Sequence, residues 1–304
     1  MIIFKLATFA LVFNELFMWL ALAFLSAALL GVYDVSKKVS LSDNAVIPVL
    51  FLNTFFCSLI FLPVVFITNS HAVDLHTHLL LLLKAVIVLS SWLFAYFAMK
   101  HLPITIASPI KATQPVLVLL GALLVFQERL NLFQWIGVLF SISSFFLLSK
   151  TGKKEGINFR HNKWIFFIVM ATVTGAISGL YDRYLLRIID PVVVQGYYSF
   201  YQFAIMGILT LFLWYPQRKK STPFRWRWSI PLISIFLVLA DYCYFKSLAY
   251  DDALISVVSM VRRSGVIVSF FAGWLFFGER NLKNKAIDLL LLLTGMYFLY
   301  LGSK

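Results

Sequence analysis

Long apolar segments separated by short polar stretches run along the whole chain. Each segment is close to the ~20 residues that a helix needs to cross a bilayer. Lipid cannot satisfy free backbone groups, and continuous apolar runs differ from the alternating strands of a membrane barrel. The pattern therefore predicts an all-α polytopic membrane protein with ten transmembrane helices. The predicted helices cover residues 17–36, 46–69, 77–99, 103–127, 131–149, 163–186, 191–215, 229–250, 252–277 and 282–302.

Two short motifs occur twice in the chain, in the same order. Gly-Val-Tyr-Asp at 31–34 returns as Gly-Leu-Tyr-Asp at 179–182, and Leu-Val-Phe-Gln-Glu-Arg at 124–129 returns as Leu-Phe-Phe-Gly-Glu-Arg at 275–280. The offsets of 148 and 151 residues indicate a duplicated unit of five helices. Because five is an odd number, the second copy starts on the opposite face of the membrane, so the two repeats are inverted, as in many transporters.

The polar stretch between the fifth and sixth helices marks the boundary between the repeats. We expect an N-terminal extension at 1–17, a first five-helix repeat at 18–150, a linker loop at 151–162 and a second five-helix repeat at 163–304. The extension is either an interfacial segment or an upstream start before Met18.

Composition supports lipid as the solvent of this chain. The chain is 61% hydrophobic and 13% charged, with a mean hydropathy of +0.89, whereas soluble domains have about 45–50% apolar and about 25% charged residues. The net charge of +13 lies mostly in short loops, which indicates membrane topology rather than nucleic-acid binding. We therefore expect an integral protein of the bacterial inner membrane, with the lipid bilayer and no nucleic acid as partner.

The basic residues are distributed unequally between the two faces. Loops after odd-numbered helices hold sixteen Lys and Arg residues, and the other loops and termini hold five. Because positive residues favour the cytoplasmic side, the count predicts that the odd loops lie inside and both termini outside.

Four cations lie inside predicted spanning segments, where a charge is costly and usually faces a cavity or a pathway. These four, which lie deepest in the predicted segments and are the clearest cases, are Lys84, Lys111, Arg262 and Arg263. With the offset of 151 residues, Lys111 aligns with Arg262, so the two would face each other near the midplane across the pseudo-two-fold axis. Two such cations suit a phosphate, phosphonate or carboxylate.

Other polar residues belong to the predicted site. Gln114 follows Lys111 by about one helical turn, and Pro109 and Pro115 disturb the same helix. Asp241, inside the eighth helix, is a partner for one cation or a site for a coupling proton. Asp34 and Asp182, near predicted helix ends, are further candidates for proton coupling. The alternative is that the cations only form structural pairs with these acids.

No motif of a soluble enzyme is present in the sequence. The phosphate-binding loop, the His-Glu-x-x-His motif and the Gly-x-Ser-x-Gly motif are absent, and the histidines lack metal-ligand spacing. We expect no enzyme activity, no cofactor and no metal.

The two repeats resemble a known family. Each closes its fourth helix with Phe-x-Glu-Arg, and the passages Pro115–Gly137 and Val261–Glu279 are similar to the EamA branch of the drug/metabolite transporter superfamily. The resemblance implies a ten-helix secondary transporter with a central cavity lined by helices 3, 4, 8 and 9 and their neighbours 1 and 6. The basic pair Arg262 and Arg263 also resembles that of sugar-phosphate and nucleotide-sugar members. Many members have both termini in the cytoplasm, opposite to the charge count.

The leading hypothesis is a secondary transporter of a small anionic metabolite, phosphorylated or carboxylate, that works by alternating access. Lys111, Arg262 and Arg263 would hold the anion, and Lys84 would add positive field. A proton or a counter-substrate would be the coupling partner. The alternatives are an exporter of amino acids or other neutral metabolites, and a flippase for a lipid-linked phosphate sugar.

Overall fold

The computed structural model describes residues 2–67, 74–126, 130–185, 188–248, 250, 258 and 261–302. All regular structure in these ranges is helical. A short helical piece at 261–263 precedes α10, and a π-helical turn, Thr210–Trp214, continues α8. The helices are α1 (Ile2–Leu41), α2 (Val46–Ile67), α3 (Leu75–His101), α4 (Ile104–Ala112), α5 (Gln114–Phe126), α6 (Leu132–Lys154), α7 (Lys163–Leu185), α8 (Pro191–Leu209), α9 (Ser229–Leu248), α10 (Val266–Leu275) and α11 (Leu282–Leu301).

Eight helical spans in the described part of the chain are long and apolar enough to cross a membrane. They are Met18–Leu41, Val46–Pro63, Leu75–His101, Ile104–Gly121, Leu132–Lys154, Lys163–Asp182, Val193–Trp214 and Leu282–Leu301. A shorter apolar helix covers Ser229–Tyr244. The predicted ninth span, 252–277, lies partly outside the described residues, as does Glu128-Arg129 of the first motif.

Two helices extend beyond their predicted ends. α1 continues to Leu41 rather than residue 36, since Lys37 pairs with Asp34 and Lys38 donates to backbone carbonyls of the α3 end. α6 continues to Lys154 rather than residue 149, and Gly156 ends it with φ +80°. A glycine in this left-handed conformation is a common helix terminator.

The predicted fourth span is divided into α4 and α5 at Thr113. Pro115 has no N–H to donate to a carbonyl of the preceding turn, so the helical hydrogen-bond pattern is interrupted there. The Thr113 hydroxyl instead bonds to the Ile110 carbonyl at 2.6 Å. The prediction of a disturbed helix is therefore confirmed at Pro115. Pro109 instead lies inside α4, a continuous helix of nine residues.

Helix packing is symmetric with respect to exchange of the two halves. α1 packs along α9 as α7 packs along α3, and α2 contacts α9 as α8 contacts α3. The pairs α2–α8, α4–α10 and α6–α11 each join two equivalent helices, one from each half, so that exchange of the halves leaves the pair unchanged. Small polar residues join these helices: Ser91 of α3 donates to the Ala171 carbonyl of α7, and Ser247 of α9 donates to the Trp19 carbonyl of α1, both at 2.7 Å. Such bonds allow helices to approach closely in lipid.

One end of the bundle, called the basic face below, is formed where α1, α3, α6 and α10 end and α4, α7, α9 and α11 begin. Hydrogen bonds join these loops to one another. Asn44 bonds to the Arg225 backbone, Lys100 bonds to Thr222, and the His101 ring stacks on Trp164 with centroids 3.6 Å apart. The odd-numbered loops that hold most of the positive charge therefore lie together.

Candidate functional site

A cavity of about 50 Å³ lies between α1, α4 and the segment that leads into α10. It is smaller than the ~300–1,000 Å³ of most small-molecule sites. Apolar side chains of the same three elements complete its wall, including Leu30 and Val266. Its polar lining consists of Tyr33, Asp34, Ser108, Lys111, Arg262 and Arg263.

Two glycines bring the halves together at this cavity. A Cβ on Gly31 of α1 would lie 2.3 Å from the Val268 Cβ, and one on Gly265 would lie 2.4 Å from the Ala27 carbonyl oxygen. Only a residue without a Cβ fits at these distances. The close crossing holds the 262–265 segment against α1 and places Arg263 and Asp34 on the same cavity.

Lys111 and Arg263 are cations that have no counter-ion among the residues that the structure describes. Neither side chain makes a hydrogen bond or an ion pair with any residue in the described ranges. The Lys111 ammonium lies 5.9 Å from the centroid of the Tyr33 ring, a distance at which a cation is weakly attracted by the ring. Both side chains are free to bind a group inside the cavity.

Asp34 lies inside α1 rather than near a helix end, because α1 continues to Leu41. Its Oδ1 lies 2.5 Å from the Lys37 Nζ, and the Ser108 hydroxyl donates to its Oδ2 at 3.4 Å. Lys37 is fully buried, with its ammonium 4.3 Å from the Tyr33 ring centroid. Asp34 thus lines the cavity while its Oδ1 pairs with Lys37 and its Oδ2 accepts from Ser108.

A second group of charges consists of two ion pairs, one at the cavity and one between α3 and α7. Arg262 forms an ion pair with Asp241, which also accepts from Gln195 at 3.3 Å. Lys84 lies 2.5 Å from Asp182 and donates to Ser178 at 2.6 Å. The expectation that Asp241 neutralises one cation is confirmed, and Lys84 also has a partner.

The predicted substrate residues therefore separate into two sets. Lys111, Arg262 and Arg263 line the cavity. Lys84 faces Asp182 instead, and the Gln114 amide donates to the Gly175 carbonyl at 2.8 Å, which ties α5 to α7. Sequence spacing placed Gln114 on the face of Lys111, but the break at Thr113 interrupts that helix. The transport roles of all five residues stay predictions.

Three charged residues with structural importance were not among the predicted candidates. The sequence pattern groups Lys37 and Lys285 with the loop charges, although both are buried in ion pairs. Glu279 stands out in the sequence only as part of a repeated motif, yet its carboxylate bonds to the start of α4. The spacing of Asp34 and Lys37, one helical turn apart, is the signal that would have indicated the first pair.

Within the described residues, no group of three or more His, Cys, Asp or Glu is arranged to hold a metal ion. The chemistry that the cavity offers is therefore charge recognition by Lys111, Arg263 and Asp34, with a hydroxyl from Ser108.

Apolar spanning helices around a charged internal cavity are typical of membrane transport proteins. A model of the EamA-like transporter family matches residues 17–150 and 162–301, once for each half. The chain belongs to this family, which points to membrane transport as its role. The predicted resemblance to the drug/metabolite transporter superfamily is confirmed.

Solved structures share this fold. One described as "Crystal structure of protein" is similar with a TM-score of 0.63 and 14% sequence identity, and the match covers 91% of this chain and 96% of that one. At this identity the likeness concerns the fold alone. No curated protein matches the chain.

Proposed function

We propose that the protein is a secondary transporter that carries a small anionic metabolite, phosphorylated or carboxylate, across the bacterial inner membrane. The observation that carries this proposal is that Lys111 and Arg263 face one cavity without a counter-ion in the described part of the chain. A desolvated cation inside a membrane is costly unless it is paired. An anionic substrate would supply the missing partner during transport.

Charge balance in the cavity supports an anion over a neutral substrate. Lys37 balances Asp34, and Asp241 balances Arg262. Lys111 and Arg263 then leave two positive charges, which suits a phosphate monoester or a dicarboxylate. Arginine would contribute a planar pair of donors and lysine a compact charge.

Alternating access of two inverted five-helix repeats is the proposed mechanism, with ten transmembrane helices in total. The repeated sequence motifs and the exchange-related helix packing support it. The cavity lies where α1 of the first half crosses the segment before α10 of the second half. A site between inverted repeats can face either side when one repeat rocks against the other.

A coupling proton has three candidate sites. Asp34 and Asp241 are mostly enclosed, whereas the Asp182 side chain is 39% exposed. A proton on Asp182 would remove the charge that holds Lys84. We therefore favour Asp182 as the coupling residue, with exchange against a counter-substrate as the other possibility.

Export of amino acids is the second candidate function, and one observation favours it. Asp34 lines the same cavity as Lys111 and Arg263, so a zwitterion would find a carboxylate for its ammonium and cations for its carboxylate. This alternative also agrees with the pairing of Arg262 and Lys84.

Uptake into proteoliposomes tests both candidates. Purified protein is reconstituted and offered a panel of sugar phosphates, dicarboxylates, amino acids and neutral sugars, with and without a pH gradient. We expect saturable uptake of a dianion that Lys111→Gln lowers at least tenfold, while Lys163→Gln at the basic face has no effect. Uptake of amino acids alone, or of neutral sugars alone, would contradict the anionic proposal.

A further inference from the structure

Glu279 bonds to the first residues of α4 from the other half of the chain. Its Oε1 accepts from the Ile104 N–H at 2.6 Å, and its Oε2 accepts from the Thr105 N–H at 3.0 Å and from the Thr105 hydroxyl. The first N–H groups of a helix have no partner within the helix, and they favour a negative charge. Pro103, which precedes α4, provides no side-chain cap. Glu279 therefore supplies the cap that the local sequence lacks.

The Glu279 carboxylate is held in place by the junction of α6 and α11. Lys285, whose side chain is 0% exposed, lies 3.9 Å from the Glu279 Oε2 and 2.8 Å from the Glu155 Oε1. Asn281 also donates to Glu155 at 3.2 Å. The turn that carries Glu279 contains Gly278 at φ +56° and Asn281 at φ +54°, and it is thus tightly folded.

These bonds lie between the cavity and the basic face. Lys111 lies seven residues beyond Ile104, which corresponds to about 10 Å along α4. In the second half, Gly273 of α10 lies seven residues beyond Val266, so it is about 10 Å from the cavity wall along the helix. A Cβ on Gly273 would lie only 2.5 Å from the Thr105 Cγ2. α4 and α10 are therefore in direct contact at this level of the bundle, and Glu279, in the turn after α10, bonds to α4 there.

We propose that Glu279 is the residue that keeps the cavity closed towards the basic face. Its bonds fix α4, and with it Lys111, to the second half. Opening of the cavity on this side requires that these bonds break and that the start of α4 separates from α10. This inference rests on the proposed alternating access.

The shape of α4 suits such a movement. Because the helix is interrupted at Thr113, its nine residues can tilt without moving α5. Bonds between a carboxylate and N–H groups are strong and directional, so they hold one geometry until water replaces them. The Lys285–Glu155 ion pair does not involve α4, so the turn at 278–281 keeps this support when the bonds to α4 break.

Accessibility of a cysteine in the cavity tests this proposal without any transport assay. The free Cys57 and Cys243 are replaced by alanine and Ser108 by cysteine, and the protein is placed in sealed vesicles. A charged, membrane-impermeant thiol reagent is then applied from one face at a time. We expect Glu279→Gln to raise the labelling rate from the basic face at least fivefold, and Thr105→Val to raise it by a smaller factor.

Asp74→Asn is the matched control, because Asp74 caps the exposed start of α3 at the opposite end of the bundle, where its Oδ1 accepts from the Thr77 N–H at 3.1 Å. It is expected to leave labelling unchanged. The proposal is overturned if Glu279→Gln does not change labelling from the basic face, or if Asp74→Asn raises it equally. If Glu279→Gln does not fold, Thr105→Val decides by the same criteria. Since no substrate is present, failure of anion transport would not affect this result.

Discussion

Lys111 on α4 and Arg263 in the segment before α10 face the same cavity from the two halves of the chain, and neither has an ion-pair partner among the described residues. Alternation between two faces requires that a substrate be held by both halves. These two cations are placed to do so, because α4 and the 261–263 segment belong to different halves.

Removal of either charge is expected to weaken binding of an anion. A hydrogen bond to a charged group contributes about 1.5–3 kcal/mol, which corresponds to roughly 10- to 100-fold in Kd. An anionic ligand at 100 times its Kd stabilises a protein by about 2.7 kcal/mol, and Lys111→Gln and Arg263→Gln should lose about half of this or more. Thermal unfolding in detergent, with and without a sugar phosphate, measures the effect. An equal ligand-induced shift in both variants and in wild type would show that the cavity does not bind the anion.

Lys37 is expected to affect anion binding although it does not line the cavity. In Lys37→Met, Asp34 loses its partner and attracts Lys111, which lines the same cavity. We expect about tenfold weaker binding of the anion, equivalent to about 1.4 kcal/mol. Lys37→Met combined with Asp34→Asn should recover most of the affinity, because the competing carboxylate is gone. Binding that stays weak in the double variant would mean that Lys37 acts through packing.

The glycine of the repeated motif is expected to matter in the first repeat alone. Gly31→Ala would place a methyl group 2.3 Å from the Val268 Cβ, whereas Gly179→Ala would have its nearest neighbour, the Val118 Cγ2, at 3.7 Å. Overpacking costs about 1–3 kcal/mol, so Gly31→Ala should lower the unfolding temperature and Gly179→Ala should not. Unfolding temperatures of the two variants in detergent check this, and a lowered value for Gly179→Ala would contradict it.

Membrane orientation is expected to follow the charge count. A cysteine at His161, in the exposed linker between α6 and α7, reports on the basic face. In a background without Cys57 and Cys243, an impermeant thiol reagent should label His161→Cys from the cytoplasmic side. Labelling from the outer side alone would favour the orientation that many family members have.

The positions of the helices could be predicted from sequence because the bilayer requires long apolar segments, but their ends could not. The end of α1 depends on Lys37 and Lys38. The spacing of Asp34 and Lys37 can be read in the sequence, but the burial of this pair and the bond from Lys38 to the Leu102 carbonyl depend on the fold. Polar residues at the end of an apolar segment are read as a loop. In α1, the buried pair of Lys37 with Asp34 and the bonds of Lys38 allow these polar residues to continue the helix.

The candidate site was predicted in part for a related reason. The repeat aligned Lys111 with Arg262, and both line the cavity. Spacing alone does not tell which face of a helix meets which neighbour, so Lys84 was assigned to the site although it meets Asp182. Glu279 could not be recognised, because its partners lie 174 and 175 residues away in sequence.

The burial of Lys37 and Lys285 has a consequence for how the chain is made. Their charges are hidden in the finished protein, but orientation is set while each helix is inserted, before the ion pairs exist. If the odd loops lie inside, as the charge count predicts, the two lysines act during synthesis as cytoplasmic charges that hold their segments on one side. Once the helices assemble, the same charges support the interior, so one residue contributes first to biogenesis and then to the folded structure.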